Sequence, residues 1–518
     1  MARAGDETSD EFATAVGALT AASFAEKITA VEALAQSQDE RVLPVLRAML
    51  DGTLYYVLDT KTVAFSVQVD DQYRLTDVIN NESLGLVPES AIKKVSTHNR
   101  LRRLLRGLIA DINLSSPQAS VRLMAAREII ASMDEETAAR LTRLLPHETD
   151  ADVRETMALG IALVEIHGTD QAKQRAAIEL LGNSLLPQAY NQLTTLAKTT
   201  EDVDLRRAAN KALAEIESSR QWYSFIETTF FGISLGSVLL LIAVGLAITF
   251  GVMGVINMAH GELMMLGAYT TYVIQQLMPN HIDLSIFVAI PAAFLVAGIV
   301  GIAIERGVIR HLYGRPLETL LATFGISLVL QQVVRSIFSP LNRSVETPSW
   351  MSGSLEINAA LSLTYNRLYI IVFALMVFAA LLLVLKKTKL GLQVRAVAQN
   401  RDMARAMGIR MQWVDAMTFG LGSGIAGVAG VALSQLTNVG PNLGQAYIVD
   451  SFMVVVFGGV GNLWGTLVGA LSLGVFNKYL EPWSGAVLAK ILVLVLIILF
   501  IQKRPRGLFP QKGRAAEH

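Results

Sequence analysis

The chain has 518 residues, 52% of them hydrophobic and only 17% charged, with a mean hydropathy of +0.44. That is too apolar for an ordinary soluble protein and points to an integral membrane protein. The absence of cysteine excludes disulfides, thiolate catalysis and cysteine zinc sites, and the formal net charge of zero hides a division, since 32 of the 44 acidic residues lie before residue 220 and long apolar runs dominate the remainder of the chain.

In chain order, the opening MARAGDETSD carries A-R-A before Gly5, like the small-residue end of a secretory signal, with no apolar core ahead of it. The expectation is an extracytoplasmic domain over residues 1–220 whose signal is missing through start-site assignment or trimming. Residues 21–50 and 115–218 read as amphipathic helices with alanine- and leucine-rich faces. The segments PQASVRLMAAREIIASM, DADVRETMALGIALVEI and EDVDLRRAANKALAEIES each place an acid or Ser/Gln cap region before an apolar-Arg pair. Those pairs, Val121-Arg122, Val153-Arg154 and Leu205-Arg206, stand 32 and 52 positions apart, an irregular repeat that resembles HEAT-type helical pairs. Between these stretches LYYVLDTKTVAFSVQ alternates as a strand pair turning at Asp59-Thr60-Lys61. The basic run RLRRLLRGL, residues 100–108, fits either an anionic-lipid or nucleic-acid patch or one solvated helix face. The acids around it favour the solvated face, and no nucleic-acid motif accompanies it.

From residue 226 eight spans are expected, at 226–249, 252–277, 285–305, 317–338, 368–386, 415–437, 447–464 and 484–502, with 466–480 as a short ninth span or re-entrant segment. GLGSGIAGVAGVAL, residues 420–433, reads as a packing face, because small residues every three or four positions let helices approach closely. Loop charge sets orientation. Arg306, Arg310 and Arg315, the basic loop from Lys386 to Arg410, and Lys503, Arg504 and Arg506 belong on the cytoplasmic side; PNHIDL, TNVGPNLGQA and residues 339–366 belong outside. Counting back places residues 1–220 outside as well.

Within the second expected span, GVMGVINMAHGELMMLGAYTTYVI, the polar residues Asn257, His260 and Glu262 fall close together. On a regular helix Asn257 and His260 share a face and Glu262 lies well round from them. Groups of this kind at membrane depth face the bundle interior. Asn257 and His260 can line a pathway; His260 and Glu262 also fit hydrogen bonds to neighbouring helices or a cap. A metal site is disfavoured, since H-G-E lacks a third ligand. FGVMGVIN at 250–257 is echoed by FGGVGN at 457–462, which makes Asn257 and Asn462 candidate related positions, transporters being often built from repeats around a substrate path. Lys490 is a second charge within a span.

The loop GLQVRAVAQNRDMARAMGIR, residues 391–410, is too polar to cross lipid and reads as a short amphipathic helix ending at Gly408, with Ala396, Asn400, Ala404 and Gly408 repeating at four as a docking face. It resembles the coupling loop of ABC-importer permeases, matching at Gly391, Arg395, Ala396, Asn400, Ala404, Gly408 and Ile409. FGVMGVINMAHGELMMLGAY, LETLLATFGISLVLQQ and VVVFGGVGNLWGTLVGA resemble permeases for branched-chain amino acids and their relatives. The resemblance covers residues 226–510. The preceding 220 residues, with NRLRRLLRGLIADINL, are similar to the extension of the urea-transporter permease subunit of that family.

The resemblance implies an all-α fold: a polytopic helical membrane domain of eight or nine spans over 226–510, a HEAT-like helical domain with a small β insert over 1–220, and a cytoplasmic coupling loop at 387–413. It implies a bacterial inner-membrane permease that is not an enzyme, working with a second permease subunit, two cytoplasmic ATPase subunits and a periplasmic substrate-binding protein. ATP and Mg would be used by the partners, and this chain would bind no cofactor. Independently, no GxxxxGK[ST] phosphate loop occurs. The extension favours urea or short amides as cargo, passed by Asn257, His260, Glu262 and Asn462; branched-chain amino acids are the alternative. A membrane-anchored repeat scaffold is a reading of another class, against which the number of spans and the loop both argue.

Overall fold

The computed structural model describes residues 4–509 except 22, 38, 70–71 and 131–132, with side chains from residue 11 onward. Most of the signal-like A-R-A stretch therefore lies outside the described residues. The chain divides into two compact units, Met1–Ser218 and Ser219–His518.

In the first unit, helices α1 (Ala4–Ala18), α2 (Phe24–Gln36) and α3 (Val42–Asp51) precede a five-stranded sheet, and α4 (Asn99–Leu114) follows it. The strands β1 (Leu54–Val57), β2 (Val63–Val69), β3 (Gln72–Asp77), β4 (Ser83–Pro88) and β5 (Ile92–Lys94) take the order β4-β3-β2-β1-β5, every neighbour antiparallel. The expected pair β1–β2 forms, turning through Lys61 at φ 54°, but the insert is larger than expected. Strand β3 alternates only weakly, as QYRLTD, so its one fully buried apolar residue, Leu75, gave too little pattern to find it. In α4 the basic run is amphipathic: Leu101 and Leu105 are buried while Arg102, Arg103 and Arg106 are exposed, as the solvated-face reading requires.

Next come α5 (Ala119–Ile130), α6 (Glu135–Leu144), α7 (Ala151–Glu165), α8 (Gln171–Gly182), α9 (Pro187–Thr199) and α10 (Val203–Met253), which passes from one unit into the next. Asp134, Asp150 and Asp170 cap α6, α7 and α8 by accepting backbone N–H groups, each worth about 0.5–2 kcal/mol. Asp202 accepts the N–H groups of Asp204 and Leu205 in the same way. The repeat is irregular for a structural reason: α6 alone separates Val121 from Val153, whereas α8 and α9 both separate Val153 from Leu205. Arg122 and Arg154 converge on Glu148 in the α6–α7 connection, one on its carboxylate at 2.8 Å and one on its carbonyl at 2.7 Å.

The second unit continues with α11 (His260–Leu277), α12 (Ile282–Gly307), α13 (Pro316–Phe338), the hairpin β6 (Ser354–Asn358) and β7 (Leu361–Thr364), α14 (Tyr365–Lys387), α15 (Lys389–Gln399), α16 (Arg401–Ala406), α17 (Met411–Ser434), α18 (Leu443–Gly458) and α19 (Leu463–Lys503). Among the described residues six helices are long and apolar enough to cross a membrane: α10, α12, α13, α14, α17 and α19. The expected spans at 252–277 and 447–464 differ. The first is interrupted over residues 254–259, where Gly254 takes φ 68°, and the second is the 16-residue α18. The expected segments at 466–480 and 484–502 are two arms of α19 joined at Gly485, whose φ of 76° and ψ of 162° are not helical. The arms fold back on each other: Leu508 and Phe509 donate to the carbonyls of Phe457 and Gly458, beside the start of the first arm.

Helix α17 is buried along nearly its whole length between α11 and α12. Its glycines permit this. A β-carbon on Gly430 would strike the Met264 carbonyl, and one on Gly427 would stand 2.7 Å from the Ala297 Cβ. GLGSGIAGVAGVAL is thus a packing face, as expected, and backbone approach supplies dispersion contacts that lipid tails would otherwise provide.

Candidate functional site

Helix α10 stops at Met253 because Gly254 turns left-handed, and the β-branched Val255-Ile256 that follow are not helical. Irregular backbone at membrane depth survives only where its polar groups are satisfied within protein. Here Thr323 of α13 provides the partners: its hydroxyl donates to the Ile256 carbonyl at 3.3 Å and accepts from the Met258 N–H at 3.1 Å. Asn257, wholly buried, accepts the Ala259 N–H through Oδ1 at 3.0 Å.

Because residues 254–259 are not helical, Asn257 and His260 do not share a helical face, and the three polar residues go separate ways. His260, the first residue of α11, sends its Nε2 proton to the Ile242 carbonyl of α10 at 3.0 Å, which leaves Nδ1 as a bare acceptor. Glu262 turns to α13, where Oε1 accepts from Gln331 Nε2 at 2.7 Å and Ser327 Oγ at 3.1 Å. Glu262 is 1% exposed, and among the described residues its Oε2 has no hydrogen-bond partner, nor have Asn257 Nδ2 and the hydroxyl of Tyr269 farther along α11. Asn462 lies elsewhere. It caps α19 through Oδ1, accepting from Trp464 and Gly465 at 3.1 Å each, while Nδ2 donates to the Phe509 carbonyl. The structure therefore groups Glu262 with Ser327 and Gln331, and not with Asn462.

Helix α13 holds residues that the sequence pattern alone did not single out. Four of its five buried positions, Thr319, Thr323, Ser327 and Gln331, recur every four residues and are polar, the fifth being Val334, while Leu317, Leu321, Phe324, Leu328 and Ile337 are exposed. Such an inverted helix suits lipid outside and a polar lining inside, and a spacing of four in polar residues was there to be read. Lys490 is not alone either: Asp450 of α18 pairs with it at 3.1 Å. Among the described residues Glu262, Asn257 and His260 each keep one buried polar atom without a hydrogen-bond partner: a carboxylate oxygen, an amide nitrogen and an imidazole nitrogen. Among the described residues no group of three His, Cys, Asp or Glu could hold a metal.

The loop 387–413 is two helices, not one. Asn400, at φ −151° and ψ 105°, ends α15 and caps α16 by accepting the Met403 N–H. The break puts Ala396, Asn400, Ala404 and Gly408 off any common face. Ala404 is buried, Ala396 and Ile409 pack on the core, and Gly391 lies against the Leu385 backbone. Gly408 turns at φ 86° with open space around it, and Arg395 is exposed. The large apolar side chains that the loop exposes include Leu392, Met403 and Met407, at 62%, 61% and 78%, the last two one turn apart.

The profile of the family described as branched-chain amino acid transport system / permease component matches residues 228–501. LivH of Salmonella typhimurium, a high-affinity branched-chain amino acid transport system permease protein, is 32% identical over 301 residues, which are 56% of this chain and 97% of that relative. BraD of Pseudomonas aeruginosa, described in the same terms, is 29% identical over 295 residues, 55% of this chain and 96% of BraD. RbsC of Escherichia coli, a ribose import permease protein, is 27% identical over 273 residues, 51% of this chain and 80% of RbsC. No solved structure matches the chain. With its apolar helices and its near-complete coverage of LivH, the chain belongs to the family of multi-pass membrane permease components of branched-chain amino acid transport systems.

Proposed function

We propose that this permease moves a small nitrogenous solute inward across the bacterial inner membrane by alternating access, driven by two ATPase subunits that bind the loop 387–413. A second permease subunit and an external solute-binding protein complete the importer in this reading. The coverage of LivH over 97% of its length carries it, and the exposed Met403–Met407 tip supports the loop's docking role. Glu262, Ser327 and Gln331 are proposed to meet the cargo, whose N–H groups would take the open carboxylate oxygen of Glu262. The charge of the loops supports a cytoplasmic 387–413 and an external first unit of stacked helical pairs.

For the cargo itself, the relatives' descriptions favour a branched-chain amino acid over the urea that the extension suggested. One observation keeps urea as a second reading: a 301-residue alignment that consumes 97% of LivH leaves nothing in LivH for a 218-residue first unit. Uptake of radiolabelled leucine and urea, in a strain lacking this subunit and in the same strain complemented with it, separates the two. Subunit-dependent leucine uptake alone establishes the first reading and urea uptake alone the second, while complementation of neither overturns both.

A further inference from the structure

Where the loop meets the membrane helices, one side chain joins three elements. Arg401, the first residue of α16, forms a two-pronged pair with Asp415 in the first turn of α17, through Nη1 at 3.1 Å to Oδ1 and through Nη2 to Oδ2. The side chains are 19% and 8% exposed. The guanidinium carbon also sits 3.9 Å from the ring centroid of Tyr313, in the connection between α12 and α13. Glu305, in the last turn of α12, is 2% exposed, its Oε2 has no hydrogen-bond partner among the described residues, and it lies within electrostatic reach of both Arg401 and Asp415.

We infer that Arg401 is the positioning residue that locks the loop to α17 and to the α12–α13 connection, so that displacement of the loop tip moves these helices with it. This rests on the proposed docking of ATPases at the loop. A forked pair fixes the plane of the guanidinium as well as its position, and stacking on Tyr313 fixes it from a second direction. Helix α17 is the element best placed to receive such a movement, since α11 and α12 both pack against its glycines and α11 carries Glu262. A lysine at 401 keeps the charge and loses the fork and the stacking. Removing the lock therefore separates ATP hydrolysis from transport without dismantling the subunit.

The test uses the full importer, reconstituted with its partner subunits in vesicles, and reads leucine and urea uptake per ATP hydrolysed. Arg401→Lys and Tyr313→Leu are expected to assemble and hydrolyse ATP at no less than about half the wild-type rate, with uptake per ATP lowered roughly tenfold; Tyr313→Phe, which keeps the ring, stays near wild type. Should Arg401→Lys fail to assemble, Tyr313→Leu, at an exposed position, decides. Wild-type uptake per ATP in Tyr313→Leu overturns the inference, as does an equal fall in hydrolysis and uptake. A Met403→Cys cross-link to an ATPase subunit checks the underlying reading separately: its absence overturns the docking and the inference together, whereas a cross-link beside unaltered coupling overturns the inference alone.

Discussion

Gly251 and Gly461 meet backbone to backbone: a β-carbon added to Gly251 would stand 2.6 Å from the Cα of Gly461. The contact joins the two Phe-Gly echoes of the sequence. Each has the end of a helix, then glycine at positive φ (Gly254 in one, Gly459 and Gly461 in the other), then an asparagine; Asn257 Oδ1 accepts the one N–H of Ala259 ahead of α11, and Asn462 Oδ1 accepts those of Trp464 and Gly465 in the first turn of α19. The two asparagines differ in place: Asn257 stands three residues before α11 and is buried in the bundle, whereas Asn462 directly precedes α19 and is tied to Phe509.

The close approach makes a first prediction. Gly251→Ala should lose stability by about 1–3 kcal/mol, since backbone on the far side cannot give way as a flexible side chain would. Gly325→Ala, in α13 with nothing within 4 Å, should be neutral or gain up to about 1 kcal/mol of helix propensity. Thermal unfolding of both variants in detergent, followed by tryptophan fluorescence, checks this; equal midpoints would remove the contact from any account of the fold.

Much of this was legible because periodic burial and charge asymmetry write themselves into sequence. The spans within α12, α13, α14 and α17 and the packing role of residues 420–433 follow from composition alone. The direction of Glu262 was not legible, because it depends on a helix restarting at His260 after a six-residue break, and no helical wheel drawn through 251–274 can contain that. Asp415 and Asp450 were overlooked since each sits in an apolar run and gains its meaning only from Arg401 or Lys490, far along or across the chain. The α15–α16 break at Asn400 was hidden by spacing: residues four apart imitate one face whether or not the helix is continuous.

Glu262 is the residue on which the proposed cargo site turns. Glu262→Gln retains an oxygen for Ser327 and Gln331 but loses the carboxylate charge. If a cargo N–H group takes that charge, a hydrogen bond worth about 1.5–3 kcal/mol disappears, equivalent to roughly a 10- to 150-fold loss in solute affinity. The measurement is the concentration dependence of uptake with the amount of assembled importer held equal. Uptake within twofold of wild type would reduce Glu262 to a helix-packing role.

The orientation drawn from loop charge can be checked because the chain has no cysteine of its own. Ser37→Cys in the first unit should react with a membrane-impermeant maleimide once the outer membrane is opened, with the inner membrane intact. Gln399→Cys, at an exposed position in the loop, should react only after the inner membrane is breached. The reverse pattern would invert the topology and put the Met403–Met407 tip out of reach of any cytoplasmic ATPase.

The Arg122–Glu148 pair contributes to the acid response of the first unit. Both side chains are largely buried, at 14% and 5% exposure, and the Arg122 guanidinium holds the Glu148 carboxyl down at about 2 from its ordinary 4.5. A carboxyl with a depressed folded value binds fewer protons folded than unfolded. Its stabilisation is thus complete above about 4.5 and is lost as pH falls toward 2. Glu148→Gln should cost about 1–3 kcal/mol at pH 7 by leaving Arg122 buried without its counter-charge, and should flatten the pH dependence between those two values. Hydrogen exchange over α5–α7 in the full-length protein, corrected for intrinsic rates at pH 7, 4 and 3, reads both effects. If wild type and Glu148→Gln lose protection in parallel as pH falls, the pair does not brace the α6–α7 connection.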